Sequence, residues 1–233
     1  MLADANDDMV RQVLERLATG IAEGFPAVDC PFTVGMGQSM GGGVTILMQG
    51  RRRTFDAVGI LGVSAIHTRL PQATAEAANQ ARAAFSFTRA TPLRDLSVAK
   101  TSAQVPDFKY PFHWEDVPTD ILDMDIRGGY PMRRTAPRFG SLTLPACAVA
   151  MMSPGFFTPE ASVIDVPVLI AVGERDVCPD PWREPSAYPR SNDVSVYVVP
   201  RMAHMHKFAS SRELLWRRIE AWARMVAAGE GLP

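Results

Sequence analysis

Pro31-Phe32-Thr33-Val34-Gly35-Met36-Gly37-Gln38-Ser39-Met40-Gly41-Gly42-Gly43-Val44-Thr45-Ile46-Leu47-Met48-Gln49 is the stretch on which the fold turns. Its first six residues form a short apolar run, read as a buried strand. Its last six, Val44 to Gln49, read as the body of a helix. Between them lies Gly37-x-Ser39-x-Gly41. A strand that passes straight into a helix leaves little room for β-carbons on either side of the turning residue, and glycine meets that need. The turn thrusts Ser39 up at the helix N-terminus, with the amide of Met40 pointing the same way as a candidate oxyanion donor. A plain glycine-rich turn is the blander reading of Gly37, Gln38 and Gly41. The strand before the motif and the helix after it argue for the sharper one.

Working outward, Ala57 to Val63 is a second continuous apolar run. Val166–Val172 and Val194–Val199 are two more. Continuous rather than alternating apolarity suits a parallel sheet covered on both faces. A helix is expected over 7–23, capped by Asn6, Asp7 or Asp8, with Val10, Val13, Leu14, Leu17 and Ile21 on one face. Another is expected near the C-terminus, opened by a Ser210/Glu213 capping box, with Leu214, Leu215, Ile219, Trp222 and Met225 as its stripe. The spacing thus predicts an α/β fold: a parallel sheet of about four strands flanked by helices. Residues 1–66 and 162–233 form the expected core. Residues 67–161 break the pattern, with scattered prolines (Pro106, Pro111, Pro118, Pro131, Pro137, Pro145, Pro154) and an Ala-rich helix near 73–84. They read as an inserted, mostly helical lid.

The composition excludes several classes. The chain has 233 residues, 47 % of them apolar, and a formal net charge of −1. No bulk positive field is available to hold nucleic acid. No apolar run is long enough to span a membrane. The opening Met1–Asp8 lacks a basic and apolar leader, so the expectation is a soluble cytoplasmic protein. Cys30, Cys147 and Cys178 form no C-x-x-C pair and signal neither a disulfide framework nor zinc. No metal or cofactor is expected. Arg51-Arg52-Arg53 reads as a complement to a helix dipole rather than a phosphate site.

A serine nucleophile needs a base, and the base needs an orienting carboxylate. Asp176 follows the third apolar strand and His204 follows the fourth. In a parallel sheet all carboxyl ends share one edge, so Ser39, Asp176 and His204 can converge there. Asp180 and His206 are the less favoured alternatives. His206 reads as a surface residue or a lid contact, and His67 and His113 as structural or substrate-side.

On Gly37-Gln38-Ser39-Met40-Gly41, Val172-Gly173-Glu174-Arg175-Asp176 and Ala203-His204, the chain resembles the α/β-hydrolase fold family of serine hydrolases, over about residues 30–66 and 164–228. The resemblance implies Ser39 as nucleophile, Asp176 as acid, His204 as base and the Met40 amide in the oxyanion hole. A serine nucleophile then implies acyl transfer from a small-molecule carboxylic ester rather than dehalogenation. Among the aromatic residues of the middle region (Phe85, Phe87, Phe108, Tyr110, Phe112, Trp114, Phe156, Phe157), the candidates for an apolar substrate pocket are Phe112, Trp114 and Phe156.

The chain departs from that family in one respect. About half of the family's roughly eight strands precede the nucleophile; here a single helix does. The usual His-Gly loop, source of a second oxyanion donor, is missing. The expectation is a truncated α/β-hydrolase fold whose 31–36 strand is a bare edge, open to association with a second copy. Loss of one oxyanion donor costs about 10²–10³ in turnover, so weak activity is expected. Two other readings follow from the residues. One is a degenerate, non-catalytic hydrolase that binds a ligand or partner. The other is a dinucleotide site at Gly35-x-Gly37-x-x-x-Gly41, disfavoured because the next strand ends Leu61-Gly62-Val63-Ser64 without an acid.

Overall fold

The structure is a computed structural model describing residues 1–20, 23–126 and 144–229. Ile21, Pro131 and Pro137 lie outside the described residues. Helix α1 spans Leu2–Thr19 and so begins five residues before the expected cap. Asp7 caps nothing. It is buried, accepting from Thr54 Oγ1 at 2.6 Å and Arg11 Nε at 3.0 Å. The Thr54 hydrogen bond, outweighing burial with help from Arg11, holds its carboxyl below the usual range. Glu23 lies beyond the helix, which ends at Gly20.

Strand β1 is Val34–Gln38, later than the apolar run suggests. Pro31 has no N–H to give a ladder, and Thr33 spends its N–H and hydroxyl on Asp56 Oδ2 at 2.6 and 2.7 Å. Helix α2 follows at Met40–Arg52, then β2 at Ala57–Leu61. The middle region contributes α3 (Ala75–Ala84), α4 (Val98–Ser102), α5 (Lys109–Phe112), α6 (Thr119–Ile126), α7 (Ala146–Ala150) and α8 (Thr158–Ala161). Strands β3 (Val168–Arg175) and β4 (Val194–Ala203) and helix α9 (Arg212–Gly229) complete the order. The four strands pair in the order β1-β2-β3-β4, all parallel.

Both faces of the sheet are covered, which is why its strands are apolar throughout. Val58, Ile60, Val168, Ile170 and Val172 pack with Ile46 of α2 and with Phe157 and Tyr188. Ala57, Leu61, Leu169 and Ala171 face the other way, onto Leu215, Trp222 and Val226 of α9. The buried stripe of α9 is therefore rotated by about one residue from the expected one, leaving Leu214 and Met225 exposed. Nor does Ser210 cap this helix. Its hydroxyl donates to Asp116 at 2.6 Å.

The triple arginine run does more than complement a dipole. Arg51, Arg52 and Arg53 pair with Glu160, Asp4 and Asp165, each on a different segment. Glu160 also takes Arg89 at 2.7 Å, which ties the α3–α4 connection to α2. β1 is an edge strand of the sheet. A groove of about 470 Å³ runs along it, between Leu2 and Val10 of α1 and Val34, Met36 and Val44. No helix among the described residues is long and apolar enough to cross a membrane.

Candidate active site

Ser39 occupies the single residue between β1 and α2, with φ 58° and ψ −121°. A non-glycine residue there carries strain of about 1–3 kcal/mol. The strain is held by two backbone bonds, Ser39 N to Leu61 O at 2.8 Å and Gly43 N to Ser39 O at 3.1 Å. Of the flanking glycines only one is sterically required. A β-carbon on Gly37 would lie 2.1 Å from the Gly41 carbonyl carbon, whereas one on Gly41 meets nothing within 4 Å. On the helix side the tight positions are Gly42 and Gly43, where a β-carbon would lie 2.8 Å from Val63 and 2.3 Å from Phe157.

Asp176 and His204 arrive from neighbouring strands. Gly173 pairs with Val199, but two residues later Arg175 pairs with Ala203. β4 therefore spends four residues where β3 spends two. Arg201, at φ 52°, turns the extra backbone, and its N–H donates to Glu174 at 2.9 Å. With uninterrupted pairing Met202 would stand beside Asp176. The bulge advances the register by two residues and puts His204 there instead.

The resulting chain of contacts is short. Ser39 Oγ lies 2.8 Å from His204 Nε2, and His204 Nδ1 lies 2.7 Å from Asp176 Oδ1. With Nδ1–H donating to the carboxylate, Nε2 is left to accept from the serine hydroxyl. His204 is further fixed from three sides. Its N–H donates to Pro111 O at 3.0 Å, its carbonyl accepts from Gln38 Nε2 at 2.7 Å, and its ring lies 5.2 Å from that of Phe112. The segment carrying Phe112 is itself clamped by Arg175. That guanidinium covers the Tyr110 and Trp114 rings, donates to His113 O at 2.7 Å and pairs with Glu115.

His206 is neither at the surface nor on the middle region. It is 3 % exposed, and its Nε2 lies 2.6 Å from Asp176 Oδ2. Asp176 thus accepts four N–H groups: Val177 N and His204 on Oδ1, Gly173 N and His206 on Oδ2. Burial alone would push this carboxyl up. The two imidazoles, His206 foremost, outweigh burial and hold it well below the ordinary value. It is an ionised, fully satisfied anchor. Nothing in the sequence distinguishes His206 beyond its spacing from His204, because its partner lies thirty residues away.

The remaining sequence candidates fall in various places. Met40 opens α2, where the first N–H groups have no partner within the helix, and it lines a cavity of about 290 Å³ together with Ser39, His204, Phe112, Phe85 and Met151. Of the three proposed pocket aromatics, Phe112 lines this cavity; Trp114 and Phe156 do not. Trp114 covers Arg175, and Phe156 stands edge-on to Phe157 at 5.0 Å. His113 is buried against Asp125 at 2.9 Å and stacks on Phe208. His67 is half-buried beside Arg69. Asp180 stands in a neighbouring cleft with Arg183 and Glu184. No group of three or more His, Cys, Asp or Glu side chains able to hold a metal occurs among the described residues.

No family model and no curated protein matches this sequence. Solved structures do match its fold. A loop variant of a haloalkane dehalogenase from Bradyrhizobium elkanii superposes with a TM-score of 0.53 at 12 % identity, over 84 % of this chain and 68 % of its own. VinJ gives 0.51 at 14 % identity, over 94 % and 71 %. A monoacylglycerol lipase of Paleococcus ferrophilus gives 0.50 at 15 % identity, over 94 % and 74 %. The chain has the α/β-hydrolase fold, with a four-stranded parallel sheet among the described residues.

Proposed function

We propose that this chain is a serine hydrolase acting on carboxylic esters with an apolar portion. The observation that carries this reading is the unbroken relay from Ser39 through His204 to Asp176, opening onto an apolar cavity. In that reading Ser39 Oγ attacks the ester carbonyl carbon while His204 Nε2 takes its proton. The Asp176 carboxylate stabilises the imidazolium that forms. The Met40 N–H, at the positive end of α2, receives the developing oxyanion. The tetrahedral intermediate collapses as His204 protonates the leaving alkoxide, and an acyl-enzyme remains. Water, deprotonated by His204, then releases the acid and restores Ser39.

Residues 67–161 are proposed as a lid over the cavity, on a core formed by 1–66 and 162–233. Phe112 and Phe85 supply apolar wall from this region. With a single proposed oxyanion donor, turnover is expected to be about 10²–10³ below that of a site with two. The open flank of β1 favours a second element of the proposal, association of two copies along that edge. Size-exclusion with light scattering tests it, and a monomer at high concentration would remove it.

The test of the activity is labelling of the purified chain by a fluorophosphonate, with Ser39→Ala and His204→Ala alongside. Labelling lost in both variants is the expected result. A folded protein that takes no label would overturn the hydrolase reading in favour of a non-catalytic, ligand-binding one.

A further inference from the structure

Beside the Ser39 cavity lies a second chamber of about 520 Å³. The two share Thr68, Leu70, Phe85 and Met152 in their linings, so they are neighbours across a common wall. Besides these shared residues, the lining of the second chamber includes two arginines, Arg69 and Arg82, from the segment after β2 and from α3. Their side-chain partners are neutral. Arg69 Nε donates to His67 Nδ1 at 3.0 Å, and Arg82 donates to Asn79 at 2.9 Å. No carboxylate pairs with either among the described residues. His67, on the same wall, is disfavoured as a cation, first by burial and then by the charges of Arg69 and Arg82. Both cations line the same chamber.

Asp176 is the one acid in this lining among the described residues. Both of its oxygens are already committed to backbone amides and the two imidazoles. The chamber is thus a largely apolar space whose cationic wall has no carboxylate partner among the described residues, and it borders the cavity that holds Ser39. Guanidinium forks match carboxylate oxygens two at a time. The shared Leu70, Phe85 and Met152 suit contact with a hydrocarbon chain, whose length would set the spacing between the two groups of the ligand.

We propose that this chamber is a subsite for a carboxylate carried by the substrate, held by Arg69 and Arg82, so that the favoured ester is a half-ester of a dicarboxylic acid. The proposal rests on Ser39 marking the reacting end. Arg69 and Arg82 are both solvent-exposed, so replacing them with glutamine leaves the core untouched.

The test is calorimetric binding to Ser39→Ala protein, which retains the chamber without turnover. The probes are monoethyl esters of straight-chain dicarboxylic acids of increasing length, each against its neutral diethyl ester. A monoalkyl phosphate of equal chain length serves as a second anion. The expected result is that one half-ester binds about 10- to 100-fold more tightly than its diester, the worth of a charge-assisted hydrogen bond. That preference falls with added salt. It is lost on adding Arg69→Gln or Arg82→Gln, with the diester's affinity unchanged. Equal binding of half-ester and diester, no measurable binding of any half-ester, or a preference that survives both arginine variants would overturn it. Tighter binding of the phosphate than of every half-ester would also overturn the carboxylate assignment. Fluorophosphonate labelling of wild-type protein in parallel separates the two readings. Half-ester preference without labelling rejects the hydrolase and keeps the anion subsite. Labelling without preference does the reverse.

Discussion

His206→Phe tests whether the second imidazole on Asp176 serves the chemistry or only the fold. In the wild type, Asp176 Oδ2 is held by His206 at 2.6 Å and by Gly173 N at 2.9 Å, while Oδ1 faces His204. Removing His206 halves the donors on Oδ2 and leaves a buried charge under-solvated. A hydrogen bond to a charged partner is worth about 1.5–3 kcal/mol, or roughly 10- to 150-fold at about 1.4 kcal/mol per decade. Part of that loss falls on stability. At about 2–4 °C per kcal/mol for a domain of this size, the melting midpoint should fall by roughly 3–12 °C. If His206 positions the acid for His204, the rate constant for fluorophosphonate labelling of Ser39 falls as well, by about ten-fold or more, because the imidazolium formed in the transition state leans on a carboxylate no longer held in place. The pH profile of labelling is recorded for both proteins alongside the rate. His206→Gln, which keeps an N–H donor, should recover part of the rate. A His206→Phe protein that melts lower but labels at the wild-type rate, with an unchanged pH profile, would refute the positioning argument and leave His206 as a structural residue.

Three further outcomes follow from the same geometry. Gly37→Ala should prevent folding to a soluble, cooperative state, since its methyl falls 2.1 Å from backbone, while Gly41→Ala should melt at or slightly above the wild type; thermal melts of both check the elbow. The Asp176 carboxyl is depressed when folded, so the unfolded chain binds the proton first as pH falls. Its contribution is therefore present above the unfolded value of about 3.9 and is lost as pH drops through the folded one; Asp176→Asn should lie well below the wild type in urea denaturation at pH 7 and approach it in acid. Phe112→Ala removes the ring against His204 and a 6 %-exposed core contact. It should cost about 3–5 kcal/mol in the same denaturation assay and slow labelling of Ser39.

Much of the architecture is legible in short windows of sequence. A continuous apolar run, a Gly-x-Ser-x-Gly turn and a helical period each depend on neighbours a few residues apart, so β1, α2, β2, β3 and β4 can be read without the fold. The boundaries are less legible, because long-range partners move them. Thr33 is drawn off the ladder by Asp56, Asp7 is buried by Thr54, and Ser210 is taken from its helix by Asp116. Trp114 illustrates the same limit, since the nearby Arg175 engages the ring that composition alone would offer to a substrate.

The parallel α/β layout, the elbow at Ser39 and the order in which serine, acid and histidine follow the strands can all be read from the residues in chain order. These rest on local periodicity and on the rule that parallel strands end on one edge. Only the tertiary structure decided which atoms meet there. The bulge in β4 sets His204 rather than Met202 beside Asp176, and the turn after it buries His206 against the acid's other oxygen. The fold also places Arg69, after β2, and Arg82, on α3, in the lining of one chamber. In β4 a two-residue change of register moves a side chain by a full repeat of the strand, and Arg69 and Arg82 meet across thirteen residues; no local pattern records either displacement.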